Sequence, residues 1–324
     1  MSCSNYGGLT SAPGSVSAVQ HISTRALPLW LKVILSLPPR TMFLLLNEEK
    51  LLILEKALQN YLPASIKTYG TILNINRGKI SDLEAVVDSW PNFSTVICRP
   101  CMKDETNNLV ESTLTVFSKD QSSLYHLLMD DNVVNWTTSF TFGGINTSFL
   151  ELVKDVAACK KFTISIPNSS RVMILEEPED LRDITPEMTD VASRISCLDP
   201  SHAQIVNRNW KYGNDDSGLQ FVKSILEKFP SYCVLDETDN PVSWILTYQY
   251  GAMGLLYTLP EHRRKGFAKL LVTKMVKVLQ NLGQPIYCFI DEENTKSYQL
   301  FEKLGFKEAP DIRFSWSWCR PFQK

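Results

Sequence analysis

The sequence predicts a mixed α/β (α+β) chain built from two mixed domains, with sheet flanked by helices. Three observations lead there. At 324 residues the chain is about two domains long. Its apolar fraction, 44%, can fill substantial cores. Short apolar runs at strand spacing alternate with helical periodicities along most of its length. The boundary is expected in "EEPEDLRDITPEMTD", Glu176 to Asp190, which is acidic, holds two prolines and has little apolar periodicity. That gives an N-terminal extension (1–41), one domain over 42–185 and a second over 186–324.

Asn47 is a fitting N-cap for a helix with Glu48 and Glu49 in its first turn. Its apolar stripe of Leu51, Leu54, Leu58 and Tyr61 stops at Pro63. "IKTYGTILNI" reads as a strand ended by Asn76 and Gly78. "STVICRP" and "TLTVFSKD" read as strands, and "SLYHLLMDD" as a short helix. "TTSFTFGG" alternates, and "SFLELVKDVAAC" is helical. "KFTISIP" and "SRVMILEE" read as a strand pair around a turn at Asn168-Ser169-Ser170. Past the boundary, Ser193 to Leu198 reads as a strand, Val206 to Trp210 as a short helix and Ser217 to Phe229 as a longer one. "SYCVLDETDNPVSWILTYQY" is a hairpin turning near Asp239. "MGLLYTL" is a strand, and Gly266 to Leu282 a helix with Phe267, Leu270, Leu271, Met275, Val278 and Leu279 on its core face. "PIYCFID" is a strand, Asn294 to Leu304 a helix and "DIRFSWSWC" a final strand. Trp316 and Trp318 alternate on that strand, so one face can reach a ligand pocket, with core as the favoured reading.

A net charge of −2 excludes a protein held to nucleic acid by its overall field. Eight cysteines are scattered, and Cys98-Arg99-Pro100-Cys101 lacks a second pair or a His cluster. It reads as reduced thiols, not a metal site. The extension carries Arg25, Lys32 and Arg40 but no acid before Glu48, the composition of an organelle transit peptide. Mitochondrial localisation is the expectation, with cytoplasmic or endoplasmic-reticulum-associated placement as alternatives. Leu27 to Pro39 is too short to span a bilayer and holds Lys32 at its middle, so no membrane span is expected.

The most informative stretch is "LPEHRRKGFA", Leu259 to Ala268. Three cations precede a glycine at a helix start, where the macrodipole disfavours positive charge. An anion would resolve the conflict, because a helix N-terminus offers unpaired N–H groups and glycine admits a close backbone approach. No Walker Lys-Ser/Thr pair and no G-x-G-x-x-G triplet is present, which disfavours nucleoside triphosphates and dinucleotides.

The order strand, Arg263-x-x-Gly266-x-Ala268, helix resembles the acyl-CoA pyrophosphate loop of the GNAT superfamily of N-acyltransferases. "ENTKSYQLFEKLGFKE", Glu293 to Glu308, is similar to that superfamily's second motif, where a helix opened by Asn294 packs beside the pantetheine. "YGTILNINRGK", "VVDSWPNFSTVICRP", "VNRNWKYGND", "NPVSWIL" and "YTLPEHRRKG" narrow the match. Together they resemble the glycine N-acyltransferase family from Met42 to Lys324. The resemblance implies a GNAT-type C-terminal domain with a central splayed sheet. It implies acyl transfer from acyl-CoA to the amine of a small amino acid, glycine first, giving an N-acylglycine and CoA.

On that reading acyl-CoA is a co-substrate, with no permanently bound cofactor and no metal, and the protein is a monomer with no nucleic-acid partner. Leu256, Tyr257, Thr258, Arg263, Arg264, Lys265, Gly266, Phe267, Ala268 and Asn294 are the implied acyl-CoA-binding residues, with a strand N–H polarising the thioester carbonyl. Two positions depart from the family. Its proposed general base is a glutamate in Gly-Glu-Met, where this chain has Gly251-Ala252-Met253. Phe301 stands where many GNAT enzymes place a tyrosine to protonate the thiolate. Asp291 is the nearest substitute base, with a helix-start role as the simpler alternative. These departures keep two other readings open, a catalytically weakened acyl-CoA-binding protein and a glutamine-directed N-acyltransferase. A protein N-acetyltransferase shares the fold but not the N-terminal half.

Overall fold

The computed structural model describes residues 43–45, 47–101, 112–166, 168–182 and 193–322. The transit-peptide expectation for 1–41 lies outside them, as does much of the expected boundary segment. The described residues belong to one compact unit, Arg40–Lys324. No helix among them is long and apolar enough to cross a membrane.

The strands are β1 (Phe43–Leu45), β2 (Leu83–Val87), β3 (Thr95–Pro100), β4 (Ser112–Ser118), β5 (Phe140–Asn146), β6 (Phe162–Ser165), β7 (Ser169–Ile174), β8 (Ile195–Ser196), β9 (Ser231–Leu235), β10 (Pro241–Thr247), β11 (Met253–Thr258), β12 (Tyr287–Asp291) and β13 (Lys307–Pro321). The helices are α1 (Glu48–Gln59), α2 (Ile66–Asn76), α3 (Gln121–Met129), α4 (Leu150–Cys159), α5 (Ala203–Arg208), α6 (Asp216–Lys228), α7 (Phe267–Asn281) and α8 (Thr295–Lys303). One mixed sheet runs β1-β2-β3-β4-β5-β13-β7-β12-β11-β10-β9-β8, with β6 pairing on β13. β13 therefore lies between β5 and β7, and β7 pairs antiparallel with β12 on its other edge.

Local chemistry explains the helix starts. Asn47 Oδ1 accepts from the Lys50 amide at 3.0 Å, Asp215 Oδ1 from Gly218 at 2.7 Å and Asn294 Oδ1 from Ser297 at 3.2 Å, each satisfying an orphan donor of the first turn. α7 buries Phe267, Leu271, Met275 and Leu279 against β9 to β12, while Leu270 and Val278, expected on the same face, are half-buried at its edges. α1 packs Leu54 and Leu58 on Ile72 and Leu73 of α2 in a second core.

Two expectations are corrected. "IKTYGTILNI" is helix α2, not a strand. Ile66 through Asn74 are all buried, so the segment shows no polar face at a 3.6-residue period. β6 and β7 are both strands, but they do not pair with each other. Each bonds instead to β13, β6 at Trp318–Pro321 and β7 at Lys307–Ser315.

Candidate active site

The sheet opens where β11 meets β12. These strands run parallel, but only Met253 and Cys288 are in register. Beyond that pair they diverge, leaving one edge of β11 without a ladder. On its other edge β11 carries a bulge, with Leu255 and Leu256 opposing the single residue Ile245 of β10. Leu255 sits at φ +52°, a left-handed conformation that a branched side chain seldom adopts. The wedge holds a cavity of about 320 Å³, walled by Gly254 to Tyr257 on one strand and Cys288 to Asp291 on the other, with Asn294, Ser297 and Phe301 along α8.

A second cavity of about 410 Å³ adjoins it, and Trp210, Tyr212, Phe289 and Asp291 line both. Its walls are aromatic, with Phe221, Tyr248, Tyr250, Trp316 and Trp318. Tyr248 and Tyr250 stack at 5.1 Å with an interplanar angle of 9°. A Cβ on Gly254 would stand 2.1 Å from Tyr248 Cε2, so glycine at that strand position admits the ring. Trp316 and Trp318 face this cavity instead of filling a core, because alternate residues of β13 share one face.

Asp291 ends β12 at the junction of the cavities. Its carboxylate accepts from Lys211 Nζ at 2.8 Å, Tyr212 Oη at 3.0 Å and Ser170 Oγ at 3.0 Å. Burial pushes its pKa up, but these hydrogen bonds outweigh burial and hold the carboxyl below the usual range. The Tyr212 hydroxyl is pushed up, first by burial and then by the bond to Asp291. On the far wall Lys67 of α2 is 2% exposed. Its Nζ donates to the Gly143 carbonyl and lies 4.2 Å from the Tyr250 ring centroid and 4.8 Å from that of Trp316.

Of the residues the sequence pointed to, Leu256, Tyr257 and Asn294 line the cleft and Asp291 lines both cavities. Thr258 follows on β11, its Oγ1 2.7 Å from Ser243 Oγ. Arg263 folds back on this strand, Nε donating to Thr258 O at 3.0 Å with the guanidinium 5.5 Å from the Tyr257 ring. Arg263, Arg264 and Lys265 are exposed and line neither cavity. Gly266 takes φ +78° as the N-cap of α7, and Ala268 lies in the first turn. The Phe267 side chain is core, so only its backbone can meet a ligand. Ala252 is fully buried behind Tyr250 with Ile66, Tyr287 and Phe314, and lines neither cavity. Phe301 lines the cleft, edge-on to Phe306 at 5.0 Å.

Sequence reasoning missed Lys67, Lys211, Tyr212 and Tyr248. Lys67 was hidden by the strand reading of its segment. Tyr212 stood in "NRNWKYGND", a stretch noticed only for its family likeness.

The chain is similar to known proteins along most of its length. Residues 42–230 match the family model described as aralkyl acyl-CoA:amino acid N-acyltransferase, and 233–316 match that of FR47-like proteins. Glycine N-acyltransferase of Bos taurus is 32% identical over 298 residues, 86% of this chain and all of that protein. The Homo sapiens glycine N-acyltransferase is 30% identical, covering 84% and 97% of the two chains. Glycine N-phenylacetyltransferase of Bos taurus is 28% identical over 86% of this chain and its own full length. Among solved structures, a Drosophila protein superposes with a TM-score of 0.72 at 17% identity, covering 88% of this chain and all of that one. A Pyrococcus horikoshii protein assigned as an acetyltransferase superposes at 0.53 and 9% identity, covering 87% and 89%. The chain belongs to the aralkyl acyl-CoA:amino acid N-acyltransferase family.

Proposed function

We propose that the protein transfers an acyl group from acyl-CoA to the amine of glycine, releasing an N-acylglycine and CoA. The observation that carries this reading is the splayed β11–β12 cleft opening into an aromatic-walled cavity. The pantetheine arm lies in the cleft, its amides pairing with the open edge of β11. The pyrophosphate sits at the start of α7, where Arg263, Arg264 and Lys265 offset its charge. The aromatic cavity, too large for glycine alone, takes the acyl substituent beside the acceptor.

The amine nitrogen attacks the thioester carbonyl, forming C–N as C–S breaks. The ammonium first releases one proton to solvent, giving the neutral amine that attacks; a second proton leaves the nitrogen as C–N forms and one reaches the thiolate, so one proton is released overall. A strand N–H near the Leu255–Leu256 bulge meets the developing oxyanion. Asp291, at the junction, orients the ammonium. With its carboxyl held low it is a weak proton acceptor, so positioning is its main role. Tyr212, which lines both cavities, is assigned as the acid that protonates the departing sulfur.

The test is thiol release across benzoyl-, phenylacetyl-, medium- and long-chain acyl-CoAs against all amino acids. Glycine-dependent release is expected; no acceptor-dependent release with any pair refutes the reading. A second reading, an acyl-CoA-binding protein of weakened turnover, is favoured by Ala252 and Phe301. It gives CoA binding by calorimetry with release near background. Mitochondrial placement is proposed from the composition of residues 1–41, tested by the location of a fluorescent protein fused behind them.

A further inference from the structure

Lys67 is a buried cation with no carboxylate among its contacts to the described residues. A buried ammonium without a counter-ion is costly, and proteins keep such charges paired or bound. Here it meets one carbonyl, that of Gly143, and the faces of Tyr250 and Trp316. One of its three N–H donors is thereby used, and the group lines the aromatic cavity.

The surroundings are shaped to admit this ammonium. A Cβ on Gly143 would stand 3.0 Å from Nζ, and one on Gly144 would stand 3.2 Å from it. Gly144 is at φ +75°, where other residues are disfavoured. Behind the lysine, a Cβ on Gly70 would meet the Tyr250 carbonyl oxygen at 1.9 Å, so α2 presses directly on the loop that carries the ring. These three glycines hold a cation in a cavity wall at a cost in stability.

We propose that Lys67 binds the α-carboxylate of the acceptor amino acid, leaving the amine free toward the cavity. The proposal rests on the amino-acid acylation reading above and adds what the acceptor must carry. A bound carboxylate supplies the missing counter-ion inside a low-dielectric wall, and amines without one are discriminated against. Arg320 also lines this cavity, but it is exposed at the rim and is the natural control.

The test separates carboxylate binding from turnover. N-Benzoylglycine and its primary amide are titrated by tryptophan fluorescence into wild type, Lys67→Met, Lys67→Gln and Arg320→Ala. In parallel, glycine and glycinamide are compared as acceptors by kcat/KM. Wild type should favour the acid over the amide by roughly 30- to 100-fold, the range of a charge-assisted contact. Both Lys67 variants should lose most of that preference, while Arg320→Ala keeps it. Lys67→Gln keeps a polar end should the methionine variant fold poorly. An undiminished acid preference in both Lys67 variants, or its loss in Arg320→Ala alone, overturns the proposal. Lys67-dependent binding of the acid without acceptor turnover upholds the carboxylate site and refutes the acylation reading instead.

Discussion

Replacing Lys67 with methionine should make the protein more stable, and by an amount that depends on pH. Burial lowers the Lys67 pKa from its ordinary 10.5 to about 7, with the Cys98 thiol a minor opposing influence. At 1.36 kcal/mol per unit, keeping the ammonium charged costs roughly 4–5 kcal/mol below pH 7. The methionine variant recovers that cost. It also leaves Gly143 O without a donor and two rings without a cation, losses on the order of 2–3 kcal/mol together. The net gain near pH 6 is therefore about 2 kcal/mol. Because the folded pKa is depressed for a base, the unfolded chain binds more protons between pH 7 and 10.5. Wild-type stability thus rises with pH across that window and is flat below it. Cys98, pushed up to about 12, and Tyr250, pushed well above its ordinary range, stay neutral there. Urea midpoints of both proteins from pH 6 to 10 should show the variant's advantage vanishing at about pH 8 to 9 and turning into a deficit by pH 10. A pH-independent difference, or an advantage that grows with pH, refutes a charged, desolvated Lys67.

Gly254→Ala should cost about 1–3 kcal/mol, since its Cβ would meet Tyr248 at 2.1 Å, and should raise KM for aromatic acyl-CoAs more than for CoA binding itself; thermal melts and steady-state kinetics check both. Asp291→Asn removes the charge that holds Lys211 and Tyr212, so kcat should fall about 10- to 100-fold while CoA affinity by calorimetry stays within a few-fold. Arg263→Ala should weaken CoA by about 1–3 kcal/mol, less so as salt rises, and leave an acyl-pantetheine lacking pyrophosphate unaffected. Gly266→Val should damage stability as well as CoA binding, because φ +78° is strained for a branched residue, and a melt separates the two losses.

The helix start after the basic turn was legible because its signal is local: a strand end, a glycine and an amphipathic run lie close together in sequence. The same holds for the caps at Asn47 and Asn294, which need only a side chain and an amide three residues on. α2 was not legible because a helix buried on every side shows no period, and its Ile and Thr content imitates a strand. Lys67 went unnoticed for the same reason. The β6–β7 pairing failed because both strands bond to β13, whose position no short stretch encodes. Trp316 and Trp318 look like core residues in sequence. Whether a cavity or a side chain faces them depends on strands far away. The splay of β11 from β12 is also nonlocal, since one paired residue on each strand decides where the cleft begins.

β13 lies between β5 and β7, strands that come much earlier in the chain. Until Lys307–Pro321 is in place, both strands present bare edges, and the loop that must close to cover them is long. Assembly of the sheet's centre is therefore expected to be slow, with the exposed β5 and β7 edges open to pairing with other chains meanwhile. A fragment cut before Lys307 would keep Lys67 and Asp291 but should be recovered as aggregate. A short peptide matching β13, supplied in excess, should compete for the vacant slot and restore solubility, as an added strand completes an open sheet.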